Sequence, residues 1–341
     1  MRARFGAMTS DPSLPSPEGI DIKGMIFRRL SGPDDYAPLA DLIGASNKAD
    51  GIPYVPNPDG LRSDYENTAD FDPERDLLLA EAGGRLVGFG QASRQVRDGI
   101  AVYWSFGTVL QEYRRRGLGR AILRANEARD REVSTRFEDV GGRAFASWVD
   151  DKESGARELL VSEGYEPARY GYVMHRTDLS DVTEGALPDG LELRPVTPEQ
   201  HRAIFDADEE AFRDHWGHRD ATEEDFVARY AEPELDTSLW RVAWDGGQVA
   251  GVVMSYVWRK ENEDLGIRRG WLERIAVRRM WRRRGLARAL ITSALVGLRD
   301  AGMDEAMLGV DTENLTGALG LYESMGFAVS DRQSHYRKAW S

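Results

Sequence analysis

The phrase EYRRRGLGRAIL, ending at Leu123, returns as MWRRRGLARALI, ending at Ile291, with Gly117 and Gly285 standing 168 residues apart. In a chain of 341 residues that interval is about half the length, so the repeat points to an internal duplication. Each copy follows an apolar run (IAVYWSFGTVL, then GWLERIAV) and precedes an amphipathic one, which predicts a strand–loop–helix unit in each half. The length also exceeds what one hydrophobic core usually serves, and two domains of ordinary size fit.

The order of elements around the repeat agrees. In the first half GMIFRRL reads as a strand and DDYAPLADLIGASNKA as a helix, while DLLLAEA and RLVGFGQASRQV form a hairpin through Gly83 and Gly84. After the loop come the helix GLGRAILRANEARDREV, the strand RAFASWV, the helix KESGARELLVSEG and a pair of strands ending near GYVMHRTDL. The second half begins with the strand LELRPVT and two helices, PEQHRAIFDADEEAF and TEEDFVARY. A hairpin on Asp245, Gly246 and Gly247 follows, and beyond the second loop lie a helix, the strand EAMLGVDT, another helix and a last strand, RQSHYRKAW. The polar segment SDVTEGALPDG reads as a linker. The expected fold class is α+β: a disordered leader over 1–24, one domain over 25–179, a linker over 180–190 and a second domain over 191–341.

Composition narrows the function. With no cysteine, disulfides, thiolate metal sites and an acyl-cysteine intermediate are all ruled out. A net charge of −13 argues against a general nucleic-acid binder, which would show a basic face. The longest apolar run, VAGVVMSYVW, is about half of the ~20 residues that a membrane-spanning helix needs, so no membrane partner is expected. The opening residues carry no signal-peptide core, and a cytoplasmic protein is the expectation.

The repeated loop is suited to an anion. The first turn of a helix offers backbone N–H groups without internal partners, and the helix dipole adds partial positive charge there. Glycine lets a ligand approach the backbone, and arginines add fixed charge. Such a junction cradles phosphate or pyrophosphate. The pattern Arg-x-x-Gly-x-Gly/Ala resembles the acyl-CoA pyrophosphate loop of the GNAT superfamily of N-acyltransferases. It reads Arg114-x-x-Gly117-x-Gly119 in one half and Arg282-x-x-Gly285-x-Ala287 in the other. VDTENLTGALGLYESMGF is similar to that family's next strand and helix. The expectation is two tandem GNAT-like domains, each a mixed, mostly antiparallel sheet flanked by helices. The tandem arrangement resembles that of the mycothiol synthases, whose C-terminal copy is the catalytic one.

The resemblance implies acetyl-CoA as co-substrate, bound by both loops: Arg114, Arg115, Arg116, Gly117, Leu118 and Gly119, and Arg282, Arg283, Arg284, Gly285, Leu286 and Ala287. It places Tyr322 as general acid for the departing thiolate, Asn314 on the cofactor arm, and the backbone of Ile275, Ala276 and Val277 on the pantetheine. Read without the resemblance, Tyr322 is a packed helix aromatic, Asn314 an N-cap and Ile275 to Val277 a core strand. Glu273 stands two residues before Ile275, which puts the two on one face of a strand and makes Glu273 the candidate base; a solvated or ion-paired glutamate is the alternative. His215 and His218 in DHWGHRD could share a helix face, but a zinc site needs further ligands and none is evident, so no metal is expected. These histidines and Trp216 line an acceptor pocket or sit on a surface turn.

Aligning Gly155 with Gly317 puts Leu160 opposite Tyr322 and Lys152 opposite Asn314. Leucine cannot donate a proton, so the first half is expected to be non-catalytic. The expected activity is direct transfer of an acetyl group from acetyl-CoA to a primary amine of a small molecule. An acyl-CoA-binding regulator and a protein N-acetyltransferase are the alternatives. Glu209, Glu210, Glu223 and Glu224 favour a cationic acceptor, or are simply solvated helix faces. The halves can satisfy each other as an internal pseudo-dimer in a monomer, or the chain can form a homodimer.

Overall fold

A computed structural model describes residues 14–52, 54–138, 141–213, 218–312 and 317–340. The first half contains β1 (Met25–Arg29), α1 (Tyr36–Asp50), α2 (Pro58–Asn67), α3 (Pro73–Asp76), β2 (Leu77–Ala82), β3 (Arg85–Arg97) and β4 (Ile100–Val109). It continues through α4 (Leu118–Ser134), β5 (Arg143–Asp150), α5 (Ser154–Ser162) and β6 (Glu166–Arg176). The second half contains β7 (Glu192–Arg194), α6 (His201–Phe212), α7 (Glu223–Ala231), β8 (Arg241–Asp245), β9 (Gln248–Tyr256), α8 (Arg259–Leu265) and β10 (Arg269–Val277). It closes with α9 (Leu286–Asp300), β11 (Glu305–Asp311), α10 (Ala318–Glu323) and β12 (Ala328–Ala339). The strands expected as a pair at the end of the first half are one strand, β6. Helix α2 was not foreseen; Asn57 starts it by accepting the Asp59 N–H, with Pro58 at its first position.

Among the described residues all strands join one twelve-stranded sheet in the order β1-β2-β3-β4-β5-β12-β6-β11-β10-β9-β8-β7. The final strand of each half is built into the sheet of the other. Gln333 to Ala339 of β12 pair antiparallel with β5, and Gly171 to Arg176 of β6 pair antiparallel with β11. The two exchanged strands then pair with each other through the middle. The side chains follow the backbone. Tyr336 of β12 lies in the first half's core with Tyr103, Phe145 and Tyr165, and Trp340 stacks on Phe145 at 4.4 Å. Met174 of β6 is fully buried in the second half's core. A boundary at 180–190 therefore divides the chain but not the sheet. The linker is also anchored, since Val182 is buried in the second core and its carbonyl accepts from Arg299 at 2.5 Å.

In the second half the strand period of two separates two layers. Val253 and Val257 face α9, with Leu286, Leu290 and Leu298; Val252, Met254 and Tyr256 face α6, with Ile204 and Ala207. Among the described residues, no helix is long and apolar enough to cross a membrane.

The exchange has a mechanical signature. A protease site placed in the exposed stretch from Thr183 to Ala186 should yield two pieces that co-elute in size exclusion and unfold in a single transition. Halves that separate as monomers after cleavage would contradict the shared sheet.

Candidate functional site

Both repeated loops turn the chain from strand to helix with left-handed residues in matching places: Arg115 and Arg283 (φ 62° and 59°), Gly117 and Gly285 (φ 88° and 82°). Gly117 and Gly285 are the residues immediately before α4 and α9, so the free N–H groups of each first turn lie beside the loop. The arginines divide their labour. Arg114 turns inward, bonding the Val109 carbonyl and pairing with Asp50 at 2.6 Å. Arg282 does the same, donating to the carbonyls of Val277 (2.9 Å) and Ala211 (3.0 Å). These two fasten the loop. Arg283 makes no ion pair among the described residues, and Arg284 reaches only the Asp189 carbonyl at 3.5 Å. No carboxylate among the described residues neutralises either of them. Leu118 and Leu286 are buried, so at those positions only the backbone can serve a ligand.

Beside the second loop the sheet opens. The parallel ladder of β10 and β11 ends at Leu272 and Leu308. Ile275, Ala276 and Val277 stay paired with β9 on one edge, while their other edge has no strand partner. Across the gap a Cβ added to Gly309 would meet nothing within 4 Å. A slender acyl thioester arm fits such an opening, with backbone N–H groups along its side. The register of β10 against β9 also shifts between Leu272 and Arg274, leaving Glu273 as the extra residue of a bulge. The expected sharing of one face by Glu273 and Ile275 does not survive, because the bulge interrupts the two-residue period.

The chemistry-bearing side chains surround this opening. Tyr322 on α10 is buried against Phe327 (ring centroids 6.3 Å apart), and burial pushes its phenol up to about 12. Glu273 is exposed to solvent, with protein atoms crowding round its carboxyl. That enclosure raises its carboxyl above the usual range, partly offset by a hydrogen bond from Trp258. Asn314, His215 and Trp216 lie outside the described residues. His218 is within them; its backbone carbonyl accepts the Asp98 N–H from the first half's hairpin at 3.2 Å. Among the described residues, no group of three or more His, Cys, Asp or Glu side chains is arranged to hold a metal ion.

Residues that the sequence reading missed complete the recess. Glu261 on α8 is 3% exposed and its Oε1 has no hydrogen-bond partner. Burial, opposed by Arg269 and then helped by Glu273 and Glu234, raises its carboxyl to about 7. Tyr256 is pushed up to about 12 by burial, with Glu273 and Glu232 nearby. The first half contributes Tyr54, raised to about 12 by burial and by the fields of Asp64, Glu261, Glu232 and Glu273. Asn57 ties the halves together here by donating to Glu234 at 3.2 Å. The recess is thus acidic and bordered by both halves, as a cationic amine requires. The glutamates expected to supply that charge mostly do not. Glu209 pairs with Arg229 and Arg274, Glu210 with Arg278 and Glu223 with Arg202, while Glu224 stays on the solvent face.

Comparison with known proteins identifies the family and the fold. The sequence matches the acetyltransferase (GNAT) family over residues 47–141 and 201–327. The mycothiol acetyltransferase of Salinispora tropica is 31% identical over 313 residues, covering 91% of this chain and 94% of that protein. That of Streptomyces avermitilis is 30% identical, covering 97% and 99%. Among solved structures, a GCN5-related N-acetyltransferase from Sphaerobacter thermophilus superposes with a TM-score of 0.73 at 26% identity, covering 93% of this chain and 96% of that one. A tandem GNAT protein from the clavulanic acid biosynthesis pathway gives 0.67 at 18% identity, covering 92% and 98%, and shares the fold.

The division among the arginines is measurable. Arg282→Met should lower stability by about 2–4 kcal/mol, because two charge-assisted bonds to buried carbonyls are lost, and should appear as a drop in Tm. Arg283→Ala should leave Tm within a degree or two and weaken CoA binding several-fold in calorimetry. The reverse pattern would overturn the division.

Proposed function

Since the chain belongs to the acetyltransferase (GNAT) family, we propose that its C-terminal half carries acetyl transfer from acetyl-CoA to the primary amine of a small cationic molecule. The observation that carries this reading is the opening between β10 and β11, walled by the bulged Glu273 on one strand and Gly309 on the other. The name of the curated relatives makes a mycothiol-type amine the first acceptor to try.

Acetyl-CoA supplies the electrophilic acyl thioester. The first turn of α9, with Arg283 and Arg284, offers positive charge for the pyrophosphate. The unpaired edge of Ile275 to Val277 holds the arm and directs N–H groups at the thioester carbonyl. In the acidic recess the acceptor binds as its ammonium, and the Glu273 carboxylate takes the proton that the amine must lose before it attacks. A carboxyl raised by enclosure is a stronger base than an ordinary one, which suits the task. Tyr322, with its phenol raised to about 12, keeps its Oη proton at working pH and can deliver it to the leaving thiolate. With no cysteine in the chain, the transfer is direct.

Thiol release from acetyl-CoA against a panel of amines tests this reading. Tyr322→Phe should lower kcat by about 10²–10³ with little change in the KM for acetyl-CoA, the cost of losing a general acid. Glu273 must be deprotonated to act and its pKa is raised, so kcat/KM should fall as the pH drops through a value above 4.5. Glu273→Gln should remove that acidic limb and slow turnover about 10²-fold or more. Amine-independent release, or variants as active as the parent, would reject the assignment.

A further inference from the structure

The leader expected to be disordered is anchored to the first core through Leu14, Ile20 and Ile22, and it crosses the first loop. The Ile20 N–H donates to the Pro17 carbonyl at 3.2 Å and the Ile22 N–H to the Ile20 carbonyl at 2.9 Å, so residues 17–22 form a compact turn. Ile22 is buried in the first half's core, and Leu14 and Ile20 pack against the same core. The Asp21 N–H donates to the Arg116 carbonyl, within the loop, at 3.1 Å. The Gly19 carbonyl oxygen lies 3.0 Å from where a Cβ on Gly117 would stand. At the equivalent Gly285 a Cβ would meet nothing within 4 Å.

Three other differences between the copies point the same way. Arg115 is engaged by Glu158 at 2.7 Å, whereas its counterpart Arg283 has no ion pair among the described residues. The gap beyond Trp104 and Ala146, where the ladder of β4 and β5 ends, is bridged by the Ser147 hydroxyl, which donates to the Ser105 carbonyl at 2.7 Å. The second half has the open Gly309 at that place. Strand β4 pairs with β3 without a register shift, so the first copy has no bulge where the second has Glu273.

We propose that residues 17–22 are a strap that closes the first anion cradle, so that the full chain takes up one acetyl-CoA, in its C-terminal half. The inference rests on the reading of both loops as cofactor cradles. A pyrophosphate seeking the first turn of α4 meets the Gly19 carbonyl, whose oxygen both fills the approach and repels an anion. Displacing the strap costs the Asp21 bond and the burial of Ile20 and Ile22, so the cradle stays shut in the intact protein. The strap blocks the nucleotide end of the site and Ser147 the thioester end, which makes the two closures separable.

The test uses 3′-phosphoadenosine 5′-diphosphate, the nucleotide half of CoA, which needs a loop but not the gap between strands. Calorimetric titration of the full chain should give one site per chain. Two variants open the cradle: deletion of residues 1–19, which takes away the blocking Gly19 carbonyl, and the full-length Ile20→Asp/Asp21→Pro, which loses the apolar contact and the N–H donor that hold the strap. Each should give two sites, the second lost again on Arg116→Glu, while Tm and acetyl transfer by the C-terminal half confirm that the fold persists. Two sites in the full chain, or one site in both strap-free variants, would overturn the proposal. No binding to any form would reject the reading of the loops themselves, and the strap with it.

Discussion

The antiparallel ladder between β12 and β6 is what the rest of the architecture hangs from. Each of these strands is covalently part of one half and hydrogen-bonded into the other, so the halves have no independent edge along which to slide. Backbone pairing at fixed register sets their relative orientation more firmly than a patch of side chains would. That orientation carries α2 against α7 and brings Tyr54 and Asp64 into the recess around Glu273. The recess around Glu273 is therefore a product of the duplication, because both halves border it.

Within that frame the two copies diverge in side chains and strand geometry, and agree in the backbone path of the repeated loop. The loops are nearly superimposable in dihedral angles, down to a left-handed arginine in each. Anion capture by N–H groups requires a backbone path and tolerates most sequence change. Proton transfer requires a particular group at a particular place. The first copy differs at just such places: leucine at 160 opposite Tyr322, serine at 147 opposite Gly309, and a β4 without the bulge of β10.

The sequence was most legible where a pattern maps onto one local structure. The strand–loop–helix repeat, the hairpins at Gly83–Gly84 and at Gly246–Gly247, and the family resemblance around Tyr322 all correspond to what is observed. Less legible were features set by distant partners. Nothing in RQSHYRKAW says which strand it joins, because its alternation of Ser334 and Tyr336 would suit either neighbour. The bulge at Glu273 depends on the register chosen against β9, which the strand's own residues do not specify. Tyr54 gains its surroundings from Glu232, Glu261 and Glu273, which lie in the other half of the chain. Helix α2 is a different case: the start signal of Asn57 and Pro58 was present, but a weak apolar pattern with no buried residue masked it. The glutamates of α6 and α7 looked like recognition charges and are mostly ion-paired structure.

The placement of β12 also governs how the protein can be made. Synthesis runs from the N-terminus, and the first half emerges with β5 as an open edge whose only outer neighbour is the last strand of the chain. That edge must wait, unpaired, while the whole second half is translated, and it is satisfied only by residues from 333 onward. Exposed strand edges invite other chains, so the nascent protein passes through a long window of vulnerability that closes once residues 333 to 339 have been made and can pair with β5. Loss of residues 333 to 339 would thus disable the distant first half, whose β5 they pair with, more directly than the half in which they fall.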